Sequence, residues 1–446
     1  MNQTNSVSMS QKSTSIGKYR WTICGLVFFA TTVNYLDRNV ISYLRPFLAE
    51  AFHWTPEQEV IDYSNIELAF KIAYALGMLV AGGIIDKLGT KLGYAIATGL
   101  WSLAAIGHAL ATGTGGFLIA RVFLGITEAG NFPAAIKATA EWFPQKERAL
   151  ATGIFNSGSN IGAIIVPLTV PFIAENYGWQ WAFILTGVVG FVWLVLWFLL
   201  YEIPQKQKRL SQAELEYITS DKVETTESQD TEKVSWKKLL SFRQTWAFAI
   251  GKLLTDPVWW FYLFWLPDFL MKQYKLSSTE IIWPCALVYM IGSIGSIGGG
   301  WLPLKLINNN WPAYKARKIS MLLYAFAVLP VLFSQYLGAI NMWLAVLVIG
   351  FAVSAHQAWS ANIFTMVSDM FPKKATASVT GIGGMFGALG GILLTLVVQK
   401  NMFVYYTKIG QIETGYFIMF CICGASYLLA WLIMHLLVPR MKKVEL

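Results

Sequence analysis

The feature that most constrains this chain is the recurrence of apolar runs long enough to cross a bilayer. About 20 apolar residues of helix span the hydrocarbon core. Only helices and closed barrels survive there, because every backbone N–H and C=O must be paired without water. Runs of that length are predicted near residues 21–43, 62–85, 92–112, 115–138, 149–174, 179–201, 244–271, 281–302, 316–336, 340–365, 375–400 and 413–438. Only 13% of residues are charged while 55% are hydrophobic, and a soluble domain carries about 25% charged residues. A soluble globular enzyme, a disordered chain and a collagen-like chain are thereby excluded. The prediction is an all-α integral membrane protein with twelve transmembrane helices.

One long polar stretch, 202–243, separates a six-helix bundle at 21–201 from a second at 244–438, with short tails at 1–20 and 439–446. The stretch reads as a solvated linker holding an amphipathic helix or two. With the N-terminus inside, Lys12, Lys18, Arg20, Lys87, Lys91, Lys146, Arg148, Lys305, Lys315, Arg317, Lys318, Lys373, Lys374, Arg440, Lys442 and Lys443 fall on the cytoplasmic side. The outer loops are left with Arg45, Lys272, Lys275, Lys400 and Lys408. Lysine and arginine resist translocation, so both termini are expected inside, in the inner (plasma) membrane. The net charge of +9 then reports orientation, and nucleic acid is not an expected partner. The N-terminal 20 residues read as a cytoplasmic tail and not as a signal peptide, having no cleavage site ahead of an apolar core. Cys24, Cys285, Cys421 and Cys423 lie in apolar runs, which favours structural thiols over disulfides or zinc, and no cofactor or metal is expected. An offset of 228 residues superposes Phe143-Pro144 on Phe371-Pro372, Thr152-Gly153-Ile154 on Thr380-Gly381-Ile382, and Gly162 on Gly390. Such a repeat fits two parallel halves around a shared cavity.

Within the apolar runs stand Asp37, Arg38, Lys71, Arg121, Glu128, Lys252 and Asp256. A charge at bilayer depth costs about 3 kcal/mol on insertion scales, so each is a functional candidate. Arg121 and Glu128 are two helical turns apart on one face, while Asp37 and Arg38 project about 100° apart. A cavity richer in Arg and Lys than in carboxylates suits an anion, and arginine matches a carboxylate bidentately. The carboxylates can take up protons, because burial and a neighbouring arginine pull a carboxyl's proton affinity in opposite directions. Proton-coupled anion transport follows as the expected function, with Asp37 and Glu128 as coupling groups. Tyr35, Tyr74, Asn156, Ser159, Trp259, Trp260, Trp265, His356, Gln357 and Trp359 add the amphipathic and amide groups of a sugar-binding wall. Gly82-x-x-x-Asp86-Lys87-x-Gly89-x-Lys91 reads as a gating element, where glycines allow close helix approach and Asp86 with Lys87 and Lys91 can latch helix ends. A phosphate loop is excluded there, since no strand precedes it and no Gly-Lys-Ser/Thr follows.

The Gly82–Lys91 segment and the two-half plan resemble the major facilitator superfamily. Asn34-Tyr35-Leu36-Asp37-Arg38-Asn39, Arg121-x6-Glu128 and Glu141-Trp142-Phe143-Pro144-x-Lys146-Glu147-Arg148 resemble its anion:cation symporter family. Leu88 to Tyr94, Ala138 to Arg148, Ala355-His356-Gln357-Ala358 and Ser368-Asp369-Met370-Phe371 are similar to stretches of bacterial hexuronate transporters. The resemblance implies import of glucuronate or galacturonate with protons by rocker-switch alternating access. It also implies acidic coupling at Asp37 and Glu128, and substrate or coupling arginines at Arg38 and Arg121. It places cavity tyrosines at Tyr35 and Tyr74. Ser159 stands where galactonate carriers have Gln, and Pro303 stands where the first-half loop has Asp86. Another organic anion, such as an aldonate or a glucarate-type diacid, or phosphate, is the alternative cargo. A membrane-embedded transferase would need an acidic cluster that the sequence lacks, and a sensor would need a larger output domain than 202–243. A monomer suffices for this plan.

Overall fold

A computed structural model describes residues 17–220, 236–371, 373–440 and 442–445. The chain there is helical and, among the described residues, without strands. In order come α1 (Tyr19–Ala51), α2 (Pro56–Leu88), α3 (Thr90–Gly107), α4 (Thr114–Glu128), α5 (Asn131–Trp142), α6 (Gln145–Tyr177) and α7 (Trp179–Leu200). The polar stretch contributes α8 (Gln212–Thr219) and α9 (Trp236–Leu239). Then follow α10 (Arg243–Tyr274), α11 (Ile282–Asn308), α12 (Ala313–Val328), α13 (Ser334–Ile340), α14 (Met342–Met370), α15 (Lys373–Leu394), α16 (Val404–Lys408) and α17 (Ile412–Leu437). Eight helical stretches among the described residues are long and apolar enough to cross a membrane: Pro56–Ile85, Ala151–Tyr177, Trp179–Leu200, Ile282–Asn308, Tyr314–Ile340, Met342–Val367, Val379–Lys408 and Ile412–Leu437. The other long helices, α1 and α10, carry several charges, and α4 stops at Glu128.

Local chemistry sets the boundaries. Thr55 and Gln58 form a reciprocal capping box, with Thr55 Oγ1 accepting from Gln58 N at 3.2 Å and Gln58 Oε1 accepting from Thr55 N at 3.0 Å. Pro56 fills the first helical position, where its missing N–H costs nothing. Gly89 separates α2 from α3 at φ 78°, a left-handed value that disfavours a side chain. The run 115–138 is broken at Ala129–Gly130, because Pro133 lacks the N–H that would bond Ala129 O. The run 316–336 passes through a 3-10 segment, Leu329–Phe333, that contains Pro330. The run 375–400 widens into a π-helix, Thr395–Phe403.

Within the first half α1 packs on α6 and α7, α2 on α4, and α3 on α7; within the second half α10 packs on α15 and α17, and α11 on α14. Across the halves α11 meets α6, α15 meets α2, and α1 meets α10. The 228-residue repeat is structural as well as sequential. Phe143 and Phe371 both end a helix in extended conformation, at ψ 136° and 144°, after α5 and α14. Gly162 of α6 lies against α1, where a Cβ would meet Thr32 O at 2.6 Å, and Gly390 of α15 lies more tightly still against Leu253 O of α10.

Because successive helices reverse direction, Tyr19, Leu88, Leu200, Arg243 and Leu437 mark one end of the bundle, called here the terminal end. Ala51, Pro56 and Tyr274 mark the far end. Two sequence expectations change. Arg45 and Lys272 are not loop residues: α1 and α10 run 33 and 32 residues, and both side chains sit inside an ion cluster described below. The polar stretch is not simply solvated either. Buried Glu214 of α8 accepts from Tyr19 N and Arg20 N at 3.1 Å each and pairs with Arg20 Nη1 at 3.1 Å, capping the first turn of α1 from 194 residues away.

Gly162→Val should force α1 and α6 apart, costing about 1–3 kcal/mol by overpacking. Gly153→Ala, where nothing lies within 4 Å of a Cβ, should leave stability unchanged or higher by up to about 1 kcal/mol. Thermal unfolding of the detergent-solubilised protein compares the two.

Candidate functional site

The charged residues of α1 and α4 meet at mid-helix. Arg38 donates from Nε to Glu128 Oε2 at 2.9 Å and from Nη2 to Asn34 Oδ1 at 3.2 Å. Its guanidinium lies 4.6 Å from the Tyr35 ring centre, 4.8 Å from Tyr74, 5.3 Å from Phe70 and 5.8 Å from Trp260. A cation shielded from water keeps part of its stabilisation in such a cage. Arg121 donates one bond, Nη1 to Arg38 O at 3.2 Å, while its Nε and Nη2 have no partner among the described residues. Both carboxylate oxygens of Asp37 are likewise unpartnered and buried. Thr186, the polar neighbour of Asp37, turns its hydroxyl to Phe183 O at 3.2 Å. One buried pair is committed, and beside it stand a cation and an anion with bonding capacity to spare.

A second cluster joins the halves. Lys71 pairs with Glu67 one turn earlier on α2 and donates to Thr395 Oγ1 at 2.8 Å. Trp265 of α10 donates its indole N–H to Glu67 Oε2 at 2.7 Å. Gln399, with its amide in the orientation these neighbours require, donates to Glu67 Oε2 at 3.2 Å and Thr395 Oγ1 at 2.8 Å. Thr395 and Gln399 reach α2 from the π-helix, a geometry often found at functional positions. Sequence reading named Lys71 and missed Glu67, although the i, i+4 spacing inside one apolar run was a usable signal.

The second-half wall is organised differently. Lys252 pairs with Asp256 at 2.8 Å and lies 4.3 Å from the Phe364 ring. His356 is held on both sides, its Nδ1 2.5 Å from Tyr427 Oη and its ring stacked on Trp259 at 5.4 Å. That is the satisfied interhelical histidine. Gln357 crosses the halves, donating to Asn160 Oδ1 at 2.8 Å. Ser159 turns its hydroxyl back to Asn156 O at 2.8 Å, with Asn156 half-buried beside it. Trp359 packs edge-on to Tyr427 in the core.

At the terminal end Gly82 has open space around it, Lys87 is exposed, and the Asp86 side chain lies outside the described residues. Lys91 donates to Glu202 Oε2 at 2.8 Å and holds that carboxyl below the usual range, tying α3 to the foot of α7 within one half. Arg317 likewise pairs with Asp369 inside the second half. At the far end the pairing crosses the halves. Buried Arg45 lies 2.6 Å from Glu59 and 3.0 Å from Asp268, Lys272 lies 3.0 Å from Asp268, and Tyr416 donates to the other Asp268 oxygen. Lys408 adds a pair with Glu57 at 2.7 Å. Only the i, i+4 spacing of Asp268 and Lys272 is a local signal, and the other members come from α1, α2 and α17. Among the described residues no group of three or more His, Cys, Asp or Glu could hold a metal.

A bundle of this length, with apolar side chains such as Leu76, Leu103, Phe123, Leu199 and Ile294 on its outside and paired charges within, is an integral, multi-spanning membrane protein. The class is a transporter, not an enzyme. The chain belongs to the Major Facilitator Superfamily, whose family model matches residues 27–395. It is 34% identical over 383 residues to a hexuronate transporter of Escherichia coli strain K12, covering 85% of this chain and 87% of that protein. It is 38% identical over 285 residues to a galacturonate transporter of Dickeya chrysanthemi, 64% of this chain and 81% of that one. Among solved structures, a proton:xylose symporter bound to 6-bromo-6-deoxy-D-glucose aligns with a TM-score of 0.73 over 95% of this chain and 97% of that chain. At 17% identity this is a likeness of fold.

Removing one partner of a buried pair strands the other charge. Glu128→Ala should therefore destabilise the protein by about 3–5 kcal/mol, while Arg38→Met/Glu128→Leu should recover most of the loss. Denaturant unfolding in detergent measures both.

Proposed function

We propose that this protein is a proton-coupled symporter that imports hexuronates, glucuronate or galacturonate, by rocker-switch alternating access. It works as twelve spans in two six-helix bundles, 21–201 and 244–438, joined by the cytoplasmic linker 202–243. Both termini lie on the cytoplasmic side of the inner membrane, and a monomer is sufficient. The observation that carries this reading is the division of labour in the mid-helix site. Arg38 is engaged by Glu128, while Arg121 keeps two N–H groups and Asp37 two oxygens without partners.

An arginine with two unused N–H groups offers the planar fork that a carboxylate fits. Tyr35, Tyr74 and Trp260 supply amphipathic rings beside it for a sugar face. Protonation of Glu128 releases Arg38, which then joins Arg121 in holding the substrate carboxylate. Asp37 is the second carboxylate that can hold the coupling proton, and a single proton on the two balances the one substrate carboxylate, so that no uncompensated charge crosses the closed site. Release to the cytoplasm restores the Arg38–Glu128 pair. The hexuronate and galacturonate carriers to which the chain is similar support the cargo class. Gly82, Asp86, Lys87, Gly89 and Lys91 act as the gating loop on the cytoplasmic side.

The far-end cluster is read as the shut outer gate, because its ion pairs join the two halves, whereas Lys91–Glu202 and Arg317–Asp369 hold within a half. Asp268→Asn should loosen the outer gate. In a background with Cys24, Cys285, Cys421 and Cys423 replaced by serine, a cysteine at position 63 should react several-fold faster with an impermeant thiol reagent added outside; an unchanged rate assigns the gate elsewhere.

Uptake of labelled glucuronate and galacturonate into proteoliposomes under an imposed inward proton gradient tests the function. Wild-type accumulation should collapse when the gradient is dissipated. Asp37→Asn should abolish gradient-driven accumulation, with exchange retained. Normal accumulation by both Asp37→Asn and Glu128→Gln would defeat the coupling scheme.

A further inference from the structure

We propose that Glu67 is the charge-setting residue of the binding chamber: by cancelling Lys71 it holds the fixed charge at zero and selects sugar monoacids over diacids. The inference rests on the hexuronate reading above and extends it to a residue with no role in that scheme.

Lys71 and Arg38 belong to one chamber, because they flank the same Trp260 ring at 5.3 Å and 5.8 Å from its centre. Gly391 of α15 leaves room for the Lys71 stem on the other side. The charges around this ring sort into pairs. Arg38 with Glu128 and Lys252 with Asp256 are each neutral, and the uncommitted Arg121 and Asp37 cancel in formal charge. The remaining cation is Lys71, and Glu67 is its counter-ion. Glu67 is itself fixed from the second half by Trp265 and Gln399.

A neutral chamber that admits one carboxylate becomes negative by one, and a single proton on Asp37 or Glu128 restores neutrality. A diacid would leave it negative still, a costly state away from water. With Glu67 replaced by glutamine the chamber carries one positive charge. It then matches a monoacid without a proton and a diacid with one proton. Glutamine keeps the size of the side chain and can still accept from Trp265.

The test measures binding of galacturonate and of galactarate, its six-carbon diacid, to purified full-length protein by calorimetry, and uptake with and without a proton gradient. Glu67→Gln should raise affinity for the diacid relative to the monoacid by about tenfold, the scale of one unit charge acting over about 10 Å at an effective dielectric of about 20. It should also weaken the stimulation of galacturonate uptake by the gradient. Glu67→Gln/Lys71→Gln, neutral again, should return the wild-type ratio. A ratio unmoved by Glu67→Gln, or moved equally by the double variant, overturns the proposal. If Glu67→Gln does not fold, Lys71→Gln serves: the excess negative charge should weaken both ligands, the diacid more, with relief in the double variant, and absence of relief overturns the proposal. Wild-type protein that binds galacturonate with an unmoved ratio sinks this inference alone. Wild-type protein that binds neither acid removes the hexuronate reading and this inference together.

Discussion

A charge inside a membrane-spanning bundle is costly to leave unpaired, because it gives up its hydration. The Arg38–Glu128 contact meets that requirement between α1 and α4, and much of the site follows from it. With Glu128 engaged by Arg38, Arg121 is left with N–H groups to offer. The aromatic rings of Tyr35, Phe70, Tyr74 and Trp260 gather around the same guanidinium and form the wall beside it. One ion pair thus organises a hydrophobic helix interface, an aromatic wall and an arginine with uncommitted N–H groups.

The same constraint shapes the pairs seen among the described residues at the two ends. At the far end charges from α1, α2 and α10 satisfy one another across the halves, so separating the halves there exposes each to a new partner or to water. At the terminal end Lys91 and Arg317 find their partners within a half, and separation there leaves those pairs intact. The long-range cap of α1 by Glu214 adds that the polar stretch takes part in the terminal end and is more than a tether.

Much of this is legible in the sequence. The apolar runs predicted the helices, and the 228-residue offset predicted equivalent places, which the close packing of Gly162 on α1 and Gly390 on α10 bears out. Asp37, Arg38, Arg121 and Glu128 stood out because charge in an apolar run is conspicuous. Glu67 stands inside the 62–85 run one turn before Lys71, but only the folded arrangement shows that the two pair. Arg45 and Lys272 were assigned to loops for a related reason: composition cannot tell a solvated charge from one that lengthens a helix by pairing inside it.

The sequence by itself determined the class of environment, the helical content, the repeat and the identity of the most conspicuous buried charges, because these depend on composition and short spacing. Tertiary structure alone decided which charge satisfies which. Arg38 chooses Glu128 over its neighbour Asp37, Lys71 is neutralised by Glu67 and held by the π-helix, and His356 is taken up by Tyr427 and Trp259. Those choices depend on distances of a few ångströms between helices far apart in the chain, and Coulomb energies in a low-dielectric interior change steeply over such distances.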